Sequence, residues 1–145
     1  MARVSTYLNF PRHTEEVFRF YKSVFKTEFS CDIARFKDMP ADPAQPALSE
    51  ADGNLVLHIE LPILGGHVLM GTDSPEAFGF TVIQGNNVHL NLEPDTRAEA
   101  DRLFAELSKD GKVEIPLQEM FWGAYFASFA DRFGTHWMIN CTAEA

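Results

Sequence analysis

Two segments of this chain repeat each other: Tyr7-Leu8-Asn9-Phe10-Pro11-Arg12-His13-Thr14 and His89-Leu90-Asn91-Leu92-Glu93-Pro94-Asp95-Thr96. Leu, Asn and Thr recur at the same places, and a charged amphipathic stretch follows each copy. A second echo lies further along, Gly66-His67-Val68-Leu69-Met70 against Gly134-Thr135-His136-Trp137-Met138, with Gly and Met in step. One strand–helix–strands unit present twice predicts a pseudo-symmetric domain with a cleft where the copies face each other. The echoes also mark four equivalent positions, Tyr7, Met70, His89 and Met138. The chemistry available at those positions decides which functions remain open.

Working outward from the first echo, Val4 to Phe10 alternates and stops at Pro11, as a strand does. Thr14 is placed to cap a helix, with Glu15 and Glu16 in its first turn favouring the helix dipole. Val17, Phe20, Tyr21, Val24 and Phe25 follow at helical spacing and form one apolar face. Glu28 to Phe36 reads as a second strand. Lys37 to Asp52, with Pro40, Pro43 and Pro46, reads as a surface loop. Asn54–Leu61 and His67–Met70 read as two strands joined by a hairpin at Pro62-Ile63-Leu64-Gly65-Gly66. After an irregular connection over 71–84, the order repeats. Val88 to Leu92 is a strand, and Asp95 or Thr96 caps a helix carrying Ala100, Leu103, Phe104 and Leu107. Asp110-Gly111 ends that helix. Strands follow at Lys112–Leu117, Ala124–Ala130 and His136–Cys141, the last two joined by a turn at Asp131-Arg132-Phe133-Gly134.

The 145 residues fit one compact domain, and a hydrophobic share of 46% rules out a disordered chain. A formal charge of −9 argues against nucleic acid and against an anionic membrane surface, because both need clustered Lys and Arg. Cys31 and Cys141 lack metal-ligand spacing and read as two reduced thiols, which suits the cytoplasm. The N-terminus has no long apolar segment, and no apolar run approaches membrane-spanning length. No GxGxxG, P-loop or GxSxG motif is present.

The stretches Tyr7-Leu8-Asn9-Phe10, Phe20 through Phe25, His58-Ile59-Glu60-Leu61, Gly65 through Asp73, Phe121-Trp122-Gly123 and Asp131 through Trp137 together resemble the vicinal oxygen chelate superfamily. That group includes glyoxalase I, extradiol dioxygenases and bleomycin-resistance proteins, and the chain is most similar to its PhnB-like branch. The resemblance implies an α+β fold of two tandem βαβββ modules, about 1–73 and about 85–145. Together they would form a cup-shaped mixed β-sheet with flanking helices, in a single domain spanning 1–145 and commonly paired as a homodimer. In the metal-using members it implies one ligand from the first and one from the last strand of each module. Those positions fall on Tyr7, Met70, His89 and Met138. Only His89 is a good ligand for a hard divalent ion, since a thioether suits Cu(I). No metal or other cofactor is therefore expected at them. Some relatives carry a methyltransferase label, but the chain offers no nucleotide-binding glycine loop on a parallel sheet to support it.

The leading expectation is a small-molecule binder like the glyoxalase/bleomycin-resistance proteins, taking an aromatic or hydrophobic organic molecule in an apolar cleft. Tyr7, Asn9, His89 and Asn91 would give polar contacts. Met70, Met138, Trp122 and Trp137 would give apolar surface. His58 and Glu60, two apart on one strand face, form a further candidate pair at the ligand. His89 is the candidate acid–base residue. The alternative is a lyase, isomerase or dioxygenase using His89 or a relocated metal site, for which His89, His136 and Glu60 are the conceivable donors.

Overall fold

The computed structural model describes residues 1–145. They fall into two compact units, Met1–Val82 and Ile83–Ala145. The first contains strand β1 (Thr6–Phe10), helix α1 (Thr14–Phe25), the short strand β2 (Ala34–Arg35), one turn of helix α2 (Glu50–Gly53), β3 (Val56–Pro62) and β4 (Val68–Asp73). The second contains β5 (Leu90–Leu92), α3 (Arg97–Ser108), β6 (Lys112–Glu119), β7 (Tyr125–Ala130) and β8 (His136–Cys141). Each unit builds one four-stranded mixed sheet, in the orders β1-β4-β3-β2 and β5-β8-β7-β6. The first and last strands of each unit run parallel, and the remaining pairs are antiparallel. The fold is α+β, with the βαβββ order present twice, as the repeat predicts.

In the first unit α1 covers one face of the sheet. Val17, Phe18, Tyr21 and Val24 are buried against Phe10, Ile59, Leu61 and Leu69. Phe18 belongs to this face although the periodicity selects Phe20 and Phe25, which stand at its half-buried margins. Gly71 lets the helix approach: a Cβ there would come within 2.6 Å of the Phe18 ring. Each such aromatic or aliphatic side chain stabilises the unit by about 1.5–3 kcal/mol on burial. In the second unit α3 buries Ala100, Leu103 and Leu107, and Phe104 packs edge-on against Phe129 at 5.5 Å. Leu92, Trp137 and Ile139 complete that core.

Three local expectations are corrected. Thr14 is the first residue of α1 rather than its cap. Its hydroxyl donates to the Thr72 carbonyl, and its backbone N–H is taken by Asp73 from β4. The strand expected over Glu28–Phe36 shrinks to Ala34–Arg35, because before it only the Ser30 N–H bonds to β3, at the Glu60 carbonyl. Within the expected loop over 37–52, the Ser49 side chain accepts from the Asp52 N–H and starts α2. In the second unit Thr96 caps α3 by accepting the Glu99 N–H, and Asp110 takes the left-handed conformation just past its end. No helix is long and apolar enough to cross a membrane.

Candidate functional site

With α1 and α3 on one face of their sheets, the alternation of the strands sends every second side chain to the other face. In the first unit that face carries Tyr7 and Asn9 from β1, His58 and Glu60 from β3, and Met70 from β4. Tyr7, Met70 and Glu60 stand in one row, since Met70 is the cross-strand partner of both. The Tyr7 hydroxyl and His58 Nδ1 share a hydrogen bond of 3.0 Å, and His58 Nε2 lies 3.8 Å from the Glu60 carboxylate. Glu60 also receives Cys31 Sγ–H at 3.4 Å and stands 3.8 Å from Arg3. Ser5 donates to Met70 Sδ, and Ser74 donates to Asn9 Oδ1. Burial, followed by the Glu60 charge, pushes the Tyr7 phenol up from its ordinary value. Burial and then the hydrogen bond to Glu60 do the same to the Cys31 thiol. Both shifts favour the protonated, hydrogen-bonding forms of these groups.

In the second unit the corresponding face carries Asn91, exposed on β5, and His136, Met138 and Asn140 on β8. Phe126 of β7 is opposite Asn140, and Ser128 is opposite Met138. His89 immediately precedes β5. Its ring meets that of His136 edge-on, with centroids 5.1 Å apart. Glu114 of β6 reaches in, placing a carboxylate oxygen 3.6 Å from His136 Nδ1 and accepting from the Ser128 hydroxyl. One ligand atom from each of His89, Glu114 and His136 lies within 4.8 Å of the other two. The pairing conceived from sequence set Glu60 beside the two histidines; the carboxylate there is Glu114. Its only sequence signal is Pro116 two residues on, a mark of an edge or irregular strand.

The two tryptophans part company. Trp122 is half-exposed in the turn before β7, between Phe121 at 5.0 Å and Phe126 at 6.0 Å. Trp137 is fully buried on the α3 side, its indole N–H donating to Asp131 Oδ2 at 2.9 Å. Asp131 Oδ1 accepts the backbone N–H groups of Phe133 and Thr135, which holds the turn before β8. Trp137, expected to offer surface to a ligand, is thus a core residue.

The four positions singled out by the repeat do not suit a hard cation. The Tyr7 hydroxyl is engaged with His58, Met70 accepts from Ser5, and Met138 offers only a thioether. Strand register adds a further difference between the copies. Tyr7 is opposite Met70, whereas Met138 is opposite Asn91, and Leu90 opposite Trp137 sets His89 beside His136. The second copy is offset by two residues from the first.

Comparison with known proteins agrees with this architecture. The model of a family described as 3-demethylubiquinone-9 3-methyltransferase matches residues 2–140. The protein PA1353 of Pseudomonas aeruginosa has a crystal structure similar at a TM-score of 0.83, with 30% identity over 99% of this chain and 100% of that one. A putative 3-demethylubiquinone-9 3-methyltransferase, PhnB protein, from Bacillus cereus is similar at 0.72, with 26% identity over 97% and 99%. Protein YjdN of Escherichia coli (strain K12) is 28% identical over 97% of this chain and 96% of its own length. The fold also occurs in glyoxalase/bleomycin resistance/dioxygenase proteins. The chain therefore belongs to the 3-demethylubiquinone-9 3-methyltransferase family, whose putative PhnB member from Bacillus cereus shares its fold.

Proposed function

We propose that this protein binds a small, flat organic molecule on the sheet faces that its helices leave uncovered. The observation that carries the reading is the make-up of those faces. Tyr7, Asn9, His58, Glu60 and Met70 in one unit, and His89, Asn91 and Met138 in the other, are half-buried or exposed, with polar and thioether groups side by side. A few placed hydrogen-bonding groups on apolar surface suit an organic ligand. Trp122, edge-on to both Phe121 and Phe126, adds an aromatic surface of the kind that holds planar rings.

A second reading, an enzyme of the lyase, isomerase or dioxygenase type with His89 as acid–base, is favoured by one feature. His89 Nε2 is shielded from solvent and has no hydrogen-bond partner, so it is available to a substrate proton. Exposed Ile83, Val88 and Phe121 support pairing of two copies of the chain. Cys31 and Cys141, both free thiols, support a reducing compartment such as the cytoplasm.

Tryptophan fluorescence tests the binding reading, because Trp137 is buried and Trp122 reports from the surface. Planar phenols and quinones, the latter because the matching family is named for a demethylubiquinone, should quench saturably. Trp122→Phe should remove the signal, and Asn91→Ala should weaken binding by about fivefold, the loss of one hydrogen bond of ~1 kcal/mol. Quenching that never saturates, or that ignores these changes, defeats the proposal. If any compound of the panel is turned over and His89→Ala leaves the rate intact, His89 is not the acid–base group.

A further inference from the structure

His89, His136 and Glu114 are brought together by three separate features of the second unit. The parallel pairing of β5 with β8 sets Leu90 opposite Trp137, which puts His89 next to His136 one step earlier. The edge-on contact of the two rings keeps them on one face. The third feature is a bulge in β6. Val113 pairs with Phe129 and Ile115 with Ser128, so Glu114 is the extra residue of the strand. A bulge re-aims the side chain it carries. Here it turns the Glu114 carboxylate over Ser128 toward His136.

The cluster has an unmet bonding demand. His89 Nε2 and His136 Nδ1 are both buried and without a hydrogen-bond partner, as is Asn140 Oδ1 further along the same face of β8. A buried nitrogen left unpaired costs about 1–3 kcal/mol. A proton shared between His136 and Glu114 would answer one nitrogen and leave His89 unanswered. One cation answers both nitrogens and the carboxylate together.

We propose that His89 Nε2, His136 Nδ1 and the Glu114 carboxylate form a binding site for one divalent first-row transition ion. Two imidazoles and a carboxylate are the three-ligand set of catalytic zinc centres, in which the remaining coordination position is open to water or a substrate oxygen. Such ions hold nitrogen and oxygen donors at roughly 2.0–2.2 Å, which places donors around one ion about 3–3.5 Å apart. The cluster must therefore draw in slightly from its 4.8 Å span, and the long, 41% exposed Glu114 side chain is the member free to do so. The net charge of −9 favours approach of a cation. Of the four positions implied by family resemblance, the site uses only His89. It goes beyond the organic-ligand reading and stands whether or not that reading does.

The test uses untagged full-length protein stripped with a chelator and then titrated with Zn2+ by calorimetry and with Co2+ by visible absorption. One equivalent per chain is expected, with Co2+ d–d bands of the intensity given by four or five ligands. His136→Ala and Glu114→Gln should each weaken Zn2+ binding by more than about tenfold. Circular dichroism should show both variants folded, and the surface change His13→Ala should leave affinity unaltered. Absence of saturable binding overturns the site. So does stoichiometric binding that survives both variants, which would put the ion elsewhere. The fluorescence titration reads organic ligands without added metal, so the two proposals fail separately.

Discussion

Asp73 joins three elements through one side chain. Its Oδ1 accepts the Thr14 N–H at the start of α1, and its Oδ2 accepts the Val56 N–H at the start of β3. The residue is 3% exposed, so neither N–H has water to fall back on. Asp73→Ala leaves both unpaired and should destabilise the protein by roughly 2–4 kcal/mol. Asp73→Asn keeps one acceptor and should cost about half as much. Urea unfolding of the two variants checks the order; equal losses would mean that the bonds to Thr14 and Val56 do not act separately. Asp131 plays a comparable part before β8 with its three donors. Neither aspartate is conspicuous in the sequence. Their importance comes from burial, and burial depends on partners as much as 59 residues away.

Helix α1 is held to its sheet electrostatically as well as by its apolar face. Glu15 in its first turn bonds Arg35 of β2 and Arg19 one turn on. The hydrogen bond from Arg35, with further help from Arg19 and against the opposing effect of burial, draws the Glu15 carboxyl below its ordinary value of 4.5. A carboxyl whose pKa is lower in the folded than in the unfolded chain stabilises above the unfolded value. That contribution is lost as pH falls through the folded value. Glu15→Gln should therefore cost about 0.5–1 kcal/mol at neutral pH, the modest figure reflecting solvent screening. The gap to the parent should close as pH drops below 4.5. Parallel melting curves from pH 7 to pH 3 check this, and a gap independent of pH would mean that the Arg35 contact is not what Glu15 contributes. Element periodicity predicts α1 and α3 well, because a helix face is written at spacings of three and four. It fails at β2, a two-residue strand whose existence depends on β3 beside it.

For the molecule as a whole, the duplication is the organising fact, and the copies have diverged in chemistry. The first unit spends its polar face on the Tyr7–His58 hydrogen bond, with the Glu60 carboxylate 3.8 Å beyond it. The second leaves two histidine nitrogens unanswered beside a carboxylate. The exposed apolar residues speak for the proposed homodimer: Phe121 is 98% exposed, Ile83 87% and Val88 74%. Light scattering at micromolar concentration should give twice the chain mass of 16.3 kDa. Ile83→Asp with Phe121→Asp should return it to the monomer. A monomer in the parent protein would refute the pairing.

The chain's local pattern was enough to establish the βαβββ order, its repetition, both long helices and the run of β8, because strand alternation and helical spacing are written between near neighbours. It also brought out His89 and Asn91, which stand in the echo itself. Glu114, the capping role of Asp73, the burial of Trp137 and the two-residue offset between the copies emerged only in three dimensions. Each depends on cross-strand register, and register is set by which distant residues pair and where a bulge lets a strand slip. No spacing within either strand records that choice.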